Sequence, residues 1–251
     1  MSFLAAVHLL TSIPLPWWRG PGEREMARSA PYFPLVGLLI GLVLAGLNWL
    51  LRIIFPPAVT GALIVVAMVL VSGGMHLDGL ADTTDGIAGH REPAERLRVM
   101  QDSRVGAFGV MGVVLALLVK YVALTAVPSA LLMVTLLFLP VVSRWAMVCA
   151  IFQFPSARAT GMGRVLKDGT RWGGFTVATA LTLVLALVFI PLFGLTGLVA
   201  VLGVWLVATT MGAYLKSKLG GLTGDTYGAV SETAELTVLL LVLLMVRLGL
   251  A

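Results

Sequence analysis

Apolar runs of membrane length, separated by short charged segments, constrain this chain more than any other feature. The first runs from about Phe33 to Phe55, and Pro56 and Pro57 turn it into a second that starts near Ala58 and reaches Gly73 and Gly74. A third covers about Gly106 to Val127 and a fourth about Ser129 to Phe152, with Pro140 as a kink site. A fifth covers about Gly174 to Phe193, a sixth about Leu198 to Leu215 and a seventh about Thr233 to Leu250. A helix needs roughly 20 apolar residues to cross the hydrocarbon core. Only helices and closed barrels satisfy their backbone there. The pattern predicts an all-α fold, a polytopic integral-membrane bundle of about 7 transmembrane helices. Residues 1–251 read as a single membrane-embedded domain.

Composition agrees. The chain is 59% hydrophobic and 12% charged, where a soluble domain carries about 25% charged residues. Met1 to Pro16 is apolar but too short to span comfortably, and it lacks the charged start of a secretory signal. It reads as an interfacial or re-entrant helix ended by Pro14 and Pro16, with Trp17 and Trp18 at headgroup level. The lone cysteine, Cys149, lies in an apolar run and reads as a packing residue.

Charge is confined to alternate connections. The segments 17–32, 74–105, 153–173 and 215–232 hold most of the Arg and Lys, while the turns near 56–57, 128 and 194–197 hold none. By the positive-inside rule the charged segments are cytoplasmic. The net charge of +5 is therefore topogenic, and the expected partner surface is the lipid bilayer, not nucleic acid. Arg52, Lys120 and Arg247 lie nearer the outer ends and read as anchors. Every acidic residue except Glu235 also falls in the charged segments. The orientation rule concerns only Lys and Arg, so this gathering of acids points to an active face on the cytoplasmic side.

The stretch GGMHLDGLADTTDG, residues 73–86, carries Asp78, Asp82 and Asp85. Spacings of four and seven return to one helical face, so three carboxylates form one stripe. Such a stripe needs a compensating cation or water, and Mg²⁺ supplies the first. A second acidic cluster, Asp225, Glu232 and Glu235, has the same kind of spacing. Its plain alternative is acid favoured at a helix N-terminus, which suits Glu232 and Glu235 better than Asp225. The two clusters together predict a Mg²⁺ site of Asp78, Asp82, Asp85, Asp225, Glu232 and Glu235, with the first three also catalytic.

Basic residues complete the picture. ARATGMGRVLKDG, residues 157–169, interleaves Arg158, Arg164 and Lys167 with glycines. Backbone amides and guanidinium groups there suit a phosphate, while the plain alternative is a topogenic loop. Arg104 is either a snorkelling anchor or a phosphate contact. Arg144, inside the fourth run, is a functional or ion-pair candidate. All five basic groups are candidate substrate contacts. His76 stands beside the aspartates, but a Mg²⁺ site does not call for imidazole, and His8 and His90 have no supporting context.

Taken together, FLAAVHLLTSIPLP (3–16), GGMHLDGLADTTDG (73–86), DSRVGAFGV (102–110), the Arg158–Lys167 loop and GGLTGDTYGAVSETAEL (220–236) resemble the cobalamin synthase family, the adenosylcobinamide-GDP ribazoletransferases. Family members often carry a longer aromatic or basic side chain where this chain has His8 or Ser12. The resemblance implies an enzyme of the bacterial cytoplasmic (inner) membrane with its active face to the cytoplasm. It implies transfer of adenosylcobinamide phosphate from adenosylcobinamide-GDP to alpha-ribazole or its 5′-phosphate, with GMP released and Mg²⁺ required. Which carboxylate takes the hydroxyl proton, and whether the chain forms homo-oligomers, stays open.

Three rival readings fit less well, among them a prenyltransferase, whose Asp-rich repeats and aromatic tunnel are not evident here. A CDP-alcohol phosphotransferase expects D-x-x-D-G-x-x-A-R and a distal G-x-x-x-D-x-x-x-D, where this chain has D-G-L-A-D-T-T-D-G. A cation-coupled transporter expects broken helices in paired halves, and no halves repeat here.

Overall fold

A computed structural model describes every residue except Pro16, Trp18, Arg19, His90, Arg91 and Ala251. The expectations for Trp18 at the headgroups, for the charges of Arg19 and Arg91, and for His90 lie outside the described residues. Among the described residues the fold is all-α with no strand; Ser156 and Leu222 make an isolated β-bridge.

The chain starts with α1 (Ser2–Leu10) and α2 (Glu23–Ala27), then a single 3-10 turn (Ala30–Tyr32) leads into α3 (Phe33–Ile54). Pro56 and Pro57 close the hairpin to α4 (Pro57–Val71). Two glycines with φ of 63° and 73°, Gly73 and Gly74, then turn the chain into α5 (Met75–Ile87). Only glycine takes that left-handed pair cheaply. The short α6 (Pro93–Val99) precedes α7 (Ala107–Ala126) and α8 (Ser129–Gln153). After these come α9 (Met162–Gly169), α10 (Trp172–Val188), α11 (Ile190–Phe193), α12 (Thr196–Leu219) and α13 (Gly224–Arg247).

Among the described residues five helices are singly long and apolar enough to cross a membrane: α3 with its leading turn, α7, α8, α12 and α13. Two further pairs pass the same test only jointly, α4 with α5 bent by 85° and α9 with α10 bent by 91°. The span count is therefore five to seven. In both pairs the polar half, α5 or α9, bends away from the axis of its apolar partner, and neither is by itself long and apolar enough to span. The last span also starts earlier than its hydropathy suggests: α13 begins at Gly224, not near Thr233.

α8 is the central helix, buried along almost its whole length, with Cys149 fully enclosed. Its tight partner is α3. A Cβ at Gly37 would fall 2.4 Å from the Pro140 carbonyl oxygen, and one at Gly41 2.5 Å from that of Leu137. Small residues four apart let the two backbones touch, the usual device of helix pairs in lipid. The outward faces remain apolar, with Leu42 and Trp49 on α3, Leu115 and Leu118 on α7 and Leu202 on α12 exposed. Such a surface suits lipid, not water.

Connectivity sorts the ends. The end of α4, all of α5, the start of α7, the end of α8, α9 and the start of α13 gather at one end of the bundle. Ser12, just after α1, donates from its hydroxyl to the Leu70 carbonyl at 2.6 Å. That bond ties the N-terminal segment to the same end.

Candidate functional site

The site is built where α5 crosses the start of α13. A Cβ at Gly79 would lie 2.5 Å from the Asp225 carbonyl oxygen, and one at Gly228 3.1 Å from the His76 Cα. Both glycines are thus required for the close crossing, which brings Asp78 and Asp82 up to Asp225. The start of α13 is set locally. Gly220 ends α12 at a φ of 79°. The Thr223 hydroxyl then accepts from the Thr226 amide at 3.3 Å, while the Thr223 amide donates to the Thr226 hydroxyl at 2.8 Å. This reciprocal cap fixes Asp225 in the first turn of α13.

Asp82 shows what the crossing does electrostatically. Burial, followed by the like charges of Asp78, Asp225 and Asp85, pushes its carboxyl up to about 6, and the Arg158 guanidinium opposes the shift. Crowded carboxylates raise one another's proton affinity in this way. Arg158 reaches Asp225 from the segment after α8, with Nη2 3.3 Å from Oδ2. Nη2 meets Asp225 only as an ion pair outside hydrogen-bond geometry, and among the described residues the buried Nε has no hydrogen-bond partner. A guanidinium has five donors suited to an anion's oxygens, so Arg158 is underused as it stands.

Two cavities meet here. One, about 120 Å³, is lined by Arg158, Arg164, Gly161, Gly163, Thr223 and Asp225. The other, about 170 Å³, extends toward α1 and is lined in part by His76, Asp78, Asp225 and Tyr227. Met162, Gly224 and Asp225 belong to both.

The remaining expected site residues are engaged by other partners, Arg164 from within the Arg158 cavity. Asp85 accepts from the Gly106 amide at 2.7 Å and the Gly109 amide at 2.9 Å, so both its oxygens hold the first turn of α7. Glu232 and Glu235 are not part of an acidic surface cluster, a correction to the sequence reading. They are buried and receive the Lys120 ammonium at 2.6 and 2.7 Å, and Glu235 also takes Arg144. Lys120 is correspondingly no outer-end anchor but a buried partner. Arg144 is buried too, and donates to the Ser143 hydroxyl at 2.8 Å. Two cations and two carboxylates neutralise one another in the bundle interior, which leaves no charge over for a metal or a phosphate. Arg104 is exposed and grips Asp102, whose carboxyl it holds down at about 2. Lys167 donates to the Phe152 carbonyl at 2.7 Å, at the end of α8, and Arg164 pairs with Asp168 at 2.7 Å. Among the described residues no three His, Cys, Asp or Glu side chains converge tightly enough to hold a metal ion by themselves.

One contributor escaped the sequence reading. Arg96 is buried and donates to the carbonyls of Gly86 at 3.1 Å, Ile87 at 2.6 Å and Gly89 at 2.9 Å. It satisfies the end of α5 and so holds the helix that carries the aspartates. In the sequence it is one of several arginines in a charged segment, with nothing to single it out.

The description cobalamin-5-phosphate synthase matches residues 2–243 of the chain. The chain belongs to that family. It is thereby an enzyme of cobalamin biosynthesis, a transferase built on apolar helices. The chain is 39% identical over 234 residues to the adenosylcobinamide-GDP ribazoletransferase of Roseiflexus sp. (strain RS-1), covering 93% of this chain and 86% of that relative. It is 41% identical over 238 residues to the protein of the same name from Geotalea daltonii, covering 95% of each. The namesake from Desulforamulus reducens is 39% identical over 245 residues, covering 97% of this chain and 96% of its own length. No solved structure matches the chain. Both stretches that form the crossing of α5 and α13 lie within the matched span of the family.

Proposed function

We propose that this cobalamin synthase family member transfers adenosylcobinamide phosphate from adenosylcobinamide-GDP to the ribose hydroxyl of alpha-ribazole or its 5′-phosphate, releasing GMP, at the cytoplasmic membrane face. The observation that carries the reading is the partly unpartnered Arg158 guanidinium set among Asp78, Asp82 and Asp225 at the junction of two cavities. A diphosphate needs a cationic grip on its oxygens and a counter to the charge on its leaving group.

In the transfer, the ribose oxygen forms a bond to the cobinamide-side phosphorus. The bond from that phosphorus to the bridging oxygen breaks, and GMP departs with the oxygen. The hydroxyl proton passes to a base, and the crowded carboxylates of α5 and α13 surround that position. Arg158 steadies the non-bridging oxygens, with the amides of the glycine-bearing loop before α9 beside it. Arg164 lines the same cavity but is engaged with Asp168. Asp78, Asp82 and Asp225 would hold Mg²⁺, which neutralises diphosphate charge when bound. Mg²⁺ takes one or two carboxylates and fills the rest of its shell with water and phosphate, so two of the three would suffice beside the substrate diphosphate. The crowding felt by Asp82 is the field that favours such a cation.

The test is GMP release from adenosylcobinamide-GDP by the purified protein in liposomes, with alpha-ribazole or its 5′-phosphate as acceptor. The proposal expects release that depends on acceptor and on Mg²⁺. No release with either acceptor would overturn it.

A further inference from the structure

The 170 Å³ cavity beneath the aspartates has a different character from its neighbour. Leu9 and Leu10 of α1, Met147 of α8 and Leu166 of α9 make apolar walls. Two side chains on those walls break the pattern. His76 is only 2% exposed and Tyr227 1%, and neither imidazole nitrogen nor the Tyr227 hydroxyl has a hydrogen-bond partner among the described residues. Leaving such atoms unpaired in a buried site is unfavourable. They call for a ligand that is apolar over its faces and polar at its edge.

We infer that this slot takes the two-ring aromatic base of the acceptor nucleoside, with the ring edge at His76 and Tyr227; the inference rests on the transfer reading above. The size agrees. The cavity is smaller than the roughly 300–1,000 Å³ that takes a whole drug-sized ligand, so it admits a fused ring pair and excludes a corrin or an entire nucleotide. The walls agree, because Leu and Met side chains pack well on aromatic faces. A lipid chain would fill the same walls but leave the three polar atoms unpaired.

Position agrees as well. The slot and the Arg158 cavity share Met162, Gly224 and Asp225. A base in the slot therefore leaves its ribose at Asp78 and Asp225, facing the diphosphate gripped on the other side. α1 gains a role from this, since two of its leucines line the wall against which the base is held. That role explains why a helix too short to span is tied by Ser12 to the end of α4.

The test measures apparent KM separately for alpha-ribazole and for adenosylcobinamide-GDP in liposomes. Leu9→Trp narrows the slot from a half-buried position on α1. It is expected to raise the KM for alpha-ribazole about tenfold or more and to leave that for adenosylcobinamide-GDP within twofold. Tyr227→Phe removes a single oxygen and should raise the alpha-ribazole KM about three- to tenfold, without lowering expression. Equilibrium binding of alpha-ribazole alone to each variant should weaken in parallel. If wild type is active and both variants leave the alpha-ribazole KM unchanged, or shift only that of adenosylcobinamide-GDP, the slot holds lipid or donor and the inference is overturned. Wild type without GMP release would instead overturn the transfer reading itself.

Discussion

Lys120 Nζ on α7 lies 2.6 Å from Glu232 Oε2 on α13, and both side chains are buried. With Glu235 and Arg144 they balance two positive and two negative charges in the bundle interior, next to His76. Removing one partner leaves the other charge unpaired in a low dielectric, which costs about 3–5 kcal/mol. Lys120→Met should therefore lower thermal stability in detergent strongly. Adding Glu232→Gln to Lys120→Met should recover part of the loss, because one cation then faces one carboxylate. A Lys120→Met protein that melts like wild type would show that the group does not hold α7, α8 and α13 together.

Asp85 gives a second, distinct expectation. Its two oxygens take the amides of Gly106 and Gly109, and those glycines leave no room for a side chain beside the carboxylate. Asn offers one acceptor oxygen, so Asp85→Asn leaves one amide facing an NH₂ group. A loss of about 1–3 kcal/mol in stability follows. Extra Mg²⁺ should not restore it, and that separates Asp85 from Asp78 and Asp82. Full recovery of Asp85→Asn activity by added Mg²⁺ would return the residue to the metal set.

Orientation can be checked by labelling. Ala88 follows α5 and Gly161 precedes α9, at the end of the bundle that gathers the polar chemistry, while Ser129 opens α8 at the other. Cysteines at 88 and 161 are expected to react from the cytoplasmic side and one at 129 from the opposite side. Labelling of 88 and 129 from one side would contradict the proposed cytoplasmic active face.

How much was legible in the sequence follows from what spacing can encode. The stripe of Asp78 and Asp82 was readable because four residues return to one helical face. The spans were readable from hydropathy, apart from the two bent pairs, whose glycine and polar breaks shorten them. Depth was not readable. Asp225 and Glu232 share a helix side, but seven residues put them about 10 Å apart along the axis. One therefore sits at the crossing with α5 and the other inside the bundle. Lys120 was misread for the same reason, since its partners come from other helices. The orphaned donors of Arg158 belong to tertiary structure, and no local pattern marks one arginine of the loop above Arg164.

That arginine should dominate the basic loop. Arg158→Ala removes the guanidinium that, among the described residues, pairs with Asp225, and a charged hydrogen bond to substrate is worth about 1.5–3 kcal/mol, or roughly tenfold to a hundredfold in affinity. Binding of adenosylcobinamide-GDP should weaken by that factor and binding of alpha-ribazole much less. Lys167→Ala should change neither greatly, because its ammonium is spent on the Phe152 carbonyl. Equal losses in the two variants would mean that the loop acts by its summed charge.

Asp82 carries the last expectation, and it joins charge, proton and metal. Its carboxyl is pushed up to about 6 by burial and by Asp78, Asp225 and Asp85. A raised carboxyl binds its proton more tightly in the folded state than in the unfolded one. Without a bound cation, the protein should thus lose stability as pH rises from about 4 to about 6. A cation competes with that proton. Apparent Mg²⁺ affinity, read from the Mg²⁺ dependence of GMP release, should fall as pH drops through about 6 and level off above it. Asp82→Asn keeps the size and one acceptor oxygen but removes the charge. It should fold and insert, show turnover reduced by about 10²–10³, and lose the pH dependence of its Mg²⁺ requirement. It should also relieve the mutual repulsion, so that its cation-free stability no longer falls over the same pH range. Wild-type turnover of Asp82→Asn at limiting Mg²⁺, with membrane levels matched, would remove α5 from the chemistry.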